Sequence, residues 1–258
     1  MLRPRIIPCL LVSNKGLVKT VNFKTPKYVG DPINAVRIFN EKEVDELTIL
    51  DIDASRLNNE PDYRSIEYWA SECRMPLCYG GGIKTVEQAQ TIFSLGVEKI
   101  AISSVAIENP KLISNLAEKV GNQSVVVVLD VKKRNFGGFD VFTLNASKRS
   151  QIKLFDFIRD AEKLGAGEIV INSIDLDGTM KGYDLSLVRK VREQINTPLT
   201  ILGGAGNLDH ISELIKEFGI IGASAGSLFV FKGIYRAVLI NYPDPISKDA
   251  LIKNAFNH

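Results

Sequence analysis

Histidine is nearly missing from this chain: there are two in 258 residues, His210 and His258, beside three cysteines, Cys9, Cys73 and Cys78. Their spacing matches no zinc site, and an odd cysteine count supports no disulfide framework, so no metal and no cofactor is expected. Apolar runs fall far short of the ~20 residues of a membrane span, and the stretch from Met1 to Arg5 enters a strand with no signal-peptide core. The sequence therefore reads as cytoplasmic, with no membrane partner. An excess of either charge is lacking too: 32 Lys+Arg against 30 Asp+Glu leave a net charge of +2. With no basic run and no arginine-aromatic patch, nucleic acid is not expected as a partner. No linker or low-complexity stretch divides the chain, so residues 1–258 read as one domain, with 45 % apolar residues to fill its core.

What the chain does have is a repeat. Tyr79–Ser104 and Leu202–Ser227 each read as strand end, glycine turn, helix, strand and small-residue turn; Gly80 to Ser104 and Gly203 to Ser227 are both 24 positions apart. Glycine turns leave backbone N–H groups uncovered by any Cβ, and several such groups pointing one way bind phosphate. Gly81, Gly82, Ser103 and Ser104 in one copy, and Gly203, Gly204, Gly226 and Ser227 in the other, are the candidate ligands of a phosphorylated small molecule. Tight turns without a ligand explain one such copy equally well; two at matched spacing favour a pair of phosphate sites.

Strand-like runs recur at Arg5–Val12, Glu46–Ile52, Pro76–Gly80, Lys99–Ser103, Ser124–Val131, Glu168–Ser173, Leu199–Gly203 and Ile220–Ala225, with amphipathic helices between them. Strands alternating with helices in this number predict an α/β fold, a single (βα)8 TIM barrel built from two duplicated half-barrels. Active sites of such barrels lie at the carboxyl ends of the strands, which brings Asp51, Asp130, Ser173, Asp175 and Asp177 to one mouth. Asp130 directly follows the apolar run Val125–Leu129. That placement suits a general acid or base, or equally a buried carboxylate tying down a loop. The repeat calls for a second carboxylate at position 11, where Leu11 stands.

Two excursions leave the strands. Ser13–Gly30 carries Lys15, Lys19, Lys24 and Lys27 and reads as a basic lid or as a solvated hairpin. Lys132–Thr143 reads as a shorter hairpin over the same mouth. At the opposite end Arg5, Glu46, Lys99 and Glu168 each begin a strand. They can pair as a ring that either closes the barrel base or gates a passage along its axis.

In order and over nearly the full chain, Arg5-Ile6-Ile7-Pro8-Cys9-Leu10, Gly80-Gly81-Gly82-Ile83, Asp130, Gly165-Ala166-Gly167-Glu168-Ile169, Ser173-Ile174-Asp175, Asp177-Gly178-Thr179 and Gly203-Gly204-Ala205-Gly206 resemble the cyclase subunit of imidazole glycerol phosphate synthase, a HisF-like pattern. The resemblance implies ammonia delivered by a HisH-like glutaminase subunit docked on the amino-terminal face. It also implies a gate made of Arg5, Glu46, Lys99 and Glu168, substrate phosphates at the two glycine sites, and an acid/base pair of carboxylates on the first and fifth strands. The chain departs from the pattern at Leu11, Ser103, Leu176 and Leu202, all at the mouth. Pro26–Asn40 and Arg236–Pro243 resemble a narrower, WbuZ-like branch encoded with surface-polysaccharide genes. That resemblance implies an ammonia-conducting subunit of a glutamine amidotransferase system serving a sugar amidotransferase; the alternative is an authentic cyclase of histidine biosynthesis.

Overall fold

The computed structural model describes residues 3–256; Met1, Leu2, Asn257 and His258 lie outside the described residues. β1 (Arg5–Ser13) continues into a hairpin of β2 (Gly16–Val21) and β3 (Lys24–Gly30), and Asp31 caps α1 (Pro32–Glu41) through the Ile33 N–H. There follow β4 (Leu47–Asp51), α2 (Tyr63–Glu72), β5 (Leu77–Gly80), α3 (Val86–Ser94), β6 (Lys99–Ile102), α4 (Ser104–Glu108) and α5 (Lys111–Val120). The second half opens as the first did, with a long strand, β7 (Val125–Lys133), running into β8 (Phe139–Thr143) and β9 (Lys148–Arg149). Next come α6 (Leu154–Lys163), β10 (Glu168–Ser173), α7 (Leu185–Arg192), β11 (Leu199–Leu202), α8 (Leu208–Phe218) and β12 (Gly222–Ala225). After the short α9 (Ser227–Val230) the chain makes a small hairpin, β13 (Phe231–Lys232) and β14 (Ala237–Val238), before α10 (Pro245–Phe256).

The eight strands β1, β4, β5, β6, β7, β10, β11 and β12 pair in parallel, and β12 closes on β1, giving the (βα)8 barrel the sequence predicts. Alternation along each strand divides the core. Outward residues such as Ile6, Leu10, Leu47 and Ile49 pack under the helices, while Cys78, Ala101, Val126 and Val128, with Leu50 and Val170, fill the barrel itself. The capping box of Thr85 and Gln88 starts α3. Helices α3 and α6 stop just before Gly96 and Gly165, which take the left-handed φ that a β-carbon disfavours.

Strand ends shift where the backbone turns. The last barrel strand starts at Gly222 rather than Ile220, because Gly219 has φ +68 and Ile220 is exposed. The fourth strand of the barrel stops at Ile102, since Ser103 leaves the extended region (φ −127, ψ −87). The last helix is strapped beneath the first strand: the Tyr242 hydroxyl donates to Ile6 O at 2.9 Å, and Lys248 Nζ pairs with Asp45 at 2.7 Å.

Candidate active site

At the carboxyl end of the strands a cavity of about 130 Å³ opens, and both glycine turns face it: Gly81, Gly82, Ser103 and Ser104 on one side, Gly203, Gly204, Gly226 and Ser227 on the other. The sequence repeat thus becomes two facing walls. Glycine is required where the turn meets backbone: at Gly204, φ is +110 and a β-carbon would collide with the Gly182 carbonyl. The two walls differ in charge. Lys19 is buried, with Nζ donating to Cys9 O at 2.7 Å and lying against the Gly226 turn. Burial lowers its pKa, with Cys9 and Asp177 opposing, and it forms no ion pair among the described residues. One lysine of the basic excursion therefore points into the mouth, while Lys15, Lys24 and Lys27 stay exposed.

Asp130 is buried at the end of the inner strand face and accepts a hydrogen bond from Asn172 Nδ2 at 3.0 Å. Burial pushes its carboxyl up to about 7, against the lowering effect of Asn172, with Asp177 adding to the rise. A carboxyl poised there exchanges a proton readily near neutral pH. Its counterpart in the first half, Leu11, does line the same cavity and pairs in register with Leu50. Leu50, Val128 and Leu202 make the floor apolar around it. Leu176 lies outside the lining, packed near Gly204.

The remaining carboxylates expected at the mouth are tethers. Asp51 lines the cavity, but its Oδ1 accepts the N–H groups of Asp53 and Ala54, and burial raises its pKa. Asp177 also lines it, yet its Oδ2 accepts from the Thr20 hydroxyl at 2.6 Å and from Phe23 N at 3.1 Å. Asp175 is outside the cavity and accepts the Lys133 N–H at 2.9 Å, and Ser173 does not reach the lining either. The loop 174–178 is thus a hub. It holds the first hairpin through Asp177 and Asn22, the second through Asp175, and the third through Gly178 O, which accepts from Arg236 Nη2 at 3.1 Å.

The base carries the expected ring. Arg5 bonds Glu46 and Glu168 (2.7 Å to the latter), and Lys99 bonds Glu46 at 2.7 Å and Glu168 at 2.9 Å, so each acid touches both cations. The Thr200 hydroxyl donates to Glu168 as a fifth member. Burial works against the charges of Arg5, Lys99 and Glu168, but the contacts win: Arg5 and Lys99 have raised pKa values and Glu168 a lowered one. Directly above the ring lies a second cavity of about 20 Å³, lined by Cys78, Val126, Val170 and Ser224 among others. Leu50, Ala101, Val128 and Leu202 line both cavities and form the single layer between them.

A charged ring, a small axial void and a glycine-walled mouth, stacked along one barrel, accompany a match of residues 5–235 to the model of the histidine biosynthesis protein family. The chain belongs to that family. Within it the chain is HisF-like. It is 63 % identical over 249 residues, 96 % of both chains, to a Vibrio vulnificus protein provisionally named imidazole glycerol phosphate synthase subunit hisF3. It is 58 % identical to a Leptospira borgpetersenii protein with the same provisional name for HisF, over 97 % of this chain and 99 % of the other. The imidazole glycerol phosphate synthase subunit HisF of Streptococcus mutans is 39 % identical, over 89 % of this chain and 91 % of that one. In this HisF-like barrel, Asn172 and Thr200 are site residues that sequence reading missed. The signal for Asn172 was strand register, which sets it directly beside Asp130 on neighbouring strands.

Proposed function

We propose that this HisF-like barrel takes ammonia at its charged base from a docked HisH-like glutaminase subunit, conducts it along the axis, and releases it at a mouth that binds a phosphorylated ligand. We assign its use to a sugar amidotransferase acting on an acetamido sugar of a surface polysaccharide. The observation that carries this reading is the contrast between the two ends: the four-charge ring is complete, while the mouth has Leu11 opposite Asp130 in the repeat. Leucine exchanges no proton, and losing one general acid/base group typically costs about 10²–10⁴-fold. Several features favour conduction. The void above the ring has the size of one small molecule, the layer over it is apolar, and ammonia in bulk water would be protonated and lost as a nucleophile. Lys19 beside the Gly226 turn favours an anionic ligand.

A second reading, a working cyclase of histidine biosynthesis, is favoured by the Asp130 carboxyl, whose pKa of about 7 suits proton transfer. The two separate in one assay, the ammonium-dependent turnover of the bis-phosphate family substrate by purified protein. We expect none, and we expect Leu11→Asp not to restore it, because position 11 sits beside Leu50 on a floor that Val128 and Leu202 also make apolar, and a ~1 Å misplacement of the new carboxylate can already cost ~10²-fold. Growth of a histidine auxotroph on either protein would overturn the proposal. Recovery of a one-to-one complex with the glutaminase in pull-down is the matching positive result; its absence at low and moderate salt alike would also sink it.

A further inference from the structure

Three hairpins leave the carboxyl end of the barrel, and the second and third end in exposed apolar tips. There Phe136 is fully exposed, and Ile234 and Tyr235 are 89 % and 91 % exposed; on the first hairpin Tyr28, paired with Val18 along β3, is 66 % exposed. Soluble surfaces carry single exposed apolar residues routinely, but large ones gathered around one opening mark an interaction site. The gathering is enforced by the hub loop, which bonds all three hairpins through Asp177, Asp175 and Gly178. The three hairpins are therefore tied to one loop, whose Asp177 and Gly178 line the cavity.

The charge of these hairpins is one-sided in a chain whose total is nearly balanced. Residues 13–30, 132–139 and 231–242 contain no aspartate or glutamate. The next acid along, Asp140, is matched by Arg134 and Arg149. Lys24, Lys27, Lys132, Lys133 and Lys232 are exposed and form no ion pair among the described residues. Such a rim repels its own copy, so it is unsuited to self-association. An anionic lipid surface matches the charge but would seal the cavity against hydrocarbon and leave ammonia without an acceptor.

We propose that the hairpin tips Phe136, Ile234 and Tyr235, ringed by these lysines, dock the ammonia-consuming enzyme itself, through a face with an apolar centre and an acidic rim that covers the barrel mouth. The inference rests on the proposed function and extends it by naming the surface. Electrostatic attraction aligns the two faces and the apolar tips hold them, which closes the exit against bulk water.

The test uses the full chain, a HisH-like glutaminase and an amidotransferase acting on an acetamido sugar, each from the same source as this chain and all purified. Wild type is expected to bind the amidotransferase in a salt-sensitive way. The triple variant Phe136→Ser, Ile234→Ser, Tyr235→Ser, altered only at exposed tips, is expected to lose binding at least tenfold while still binding glutaminase. Glutamine-dependent amidation should fall at least tenfold in the variant, and amidation driven by added ammonium chloride should not change. Failure of wild type to bind, or a variant within twofold of wild type in glutamine-dependent amidation, overturns the docking surface and leaves the proposed function standing if amidation occurs. Binding that is lost in the variant, with no glutamine-dependent amidation by wild type, upholds the surface and overturns the function. Sedimentation with phosphatidylglycerol-containing vesicles, or concentration-dependent dimerisation, abolished by the same substitutions would assign the rim to a membrane or a second copy and overturn the proposal.

Discussion

Glu168→Ala should destabilise the protein by about 3–5 kcal/mol, read as a lowered midpoint in urea unfolding at unchanged slope. Glu168 is buried and accepts from Arg5, Lys99 and Thr200. Removing it leaves two cations competing for Glu46 in a site with little access to water, and a charge stranded in that way costs far more than the pair contributes when intact. Glu168→Gln keeps the shape and some hydrogen bonds but not the charge, so it should fall between. The surface pair of Arg189 and Glu217 supplies the comparison, since the Arg189 side chain is 57 % exposed; Glu217→Ala should cost about 0–1 kcal/mol. If Glu168→Ala costs no more than Glu217→Ala, the ring is not the buried network described above.

Asp130→Asn should make the protein more stable than wild type at pH 8 and no different at pH 4. The sign follows from linkage. Folding raises the Asp130 pKa to about 7, so the folded state holds the proton more tightly than the unfolded chain. The benefit is fully present below the ordinary carboxylate range, near pH 4, and disappears as the pH rises through about 7. Above that, folding has to bury a carboxylate whose only hydrogen-bond donor among the described residues is Asn172, at a cost on the order of 4 kcal/mol. Thermal or urea unfolding at a series of pH values checks this. Parallel curves for the two proteins would show that Asp130 is solvated rather than buried.

Much of this was legible before any coordinates. The barrel follows from strand and helix alternation, and the ring could be read because charges at the first turn of four strands have few places to point except the axis. The facing glycine walls came from the repeat. What resisted reading was hydrogen bonding between loops. Asp175 and Asp177 look like active-site carboxylates in sequence, because position after a strand says where a residue sits and nothing about what its oxygens accept. Lys19 resembled its exposed neighbours Lys24 and Lys27; only the pairing of β2 with β1 turns it inward. Asn172 and Thr200 needed register across strands that lie 42 and 32 residues from their partners Asp130 and Glu168.

The strap of Tyr242 and Lys248 under the first strand has a consequence for how the chain matures. On a ribosome β1 emerges first, yet one of its edges waits for β12, and the anchor beneath it waits for the final helix. Until then that edge offers unpaired backbone groups to any neighbouring strand. In a nascent chain that edge therefore stays open until all the other barrel strands have been made, and a stop codon a few residues before Tyr242 would leave a barrel that closes but lacks its latch. Such truncated chains are expected in the insoluble fraction, and rejoining residue 256 to residue 3 while opening the chain at an exposed hairpin tip is a way to remove the delay.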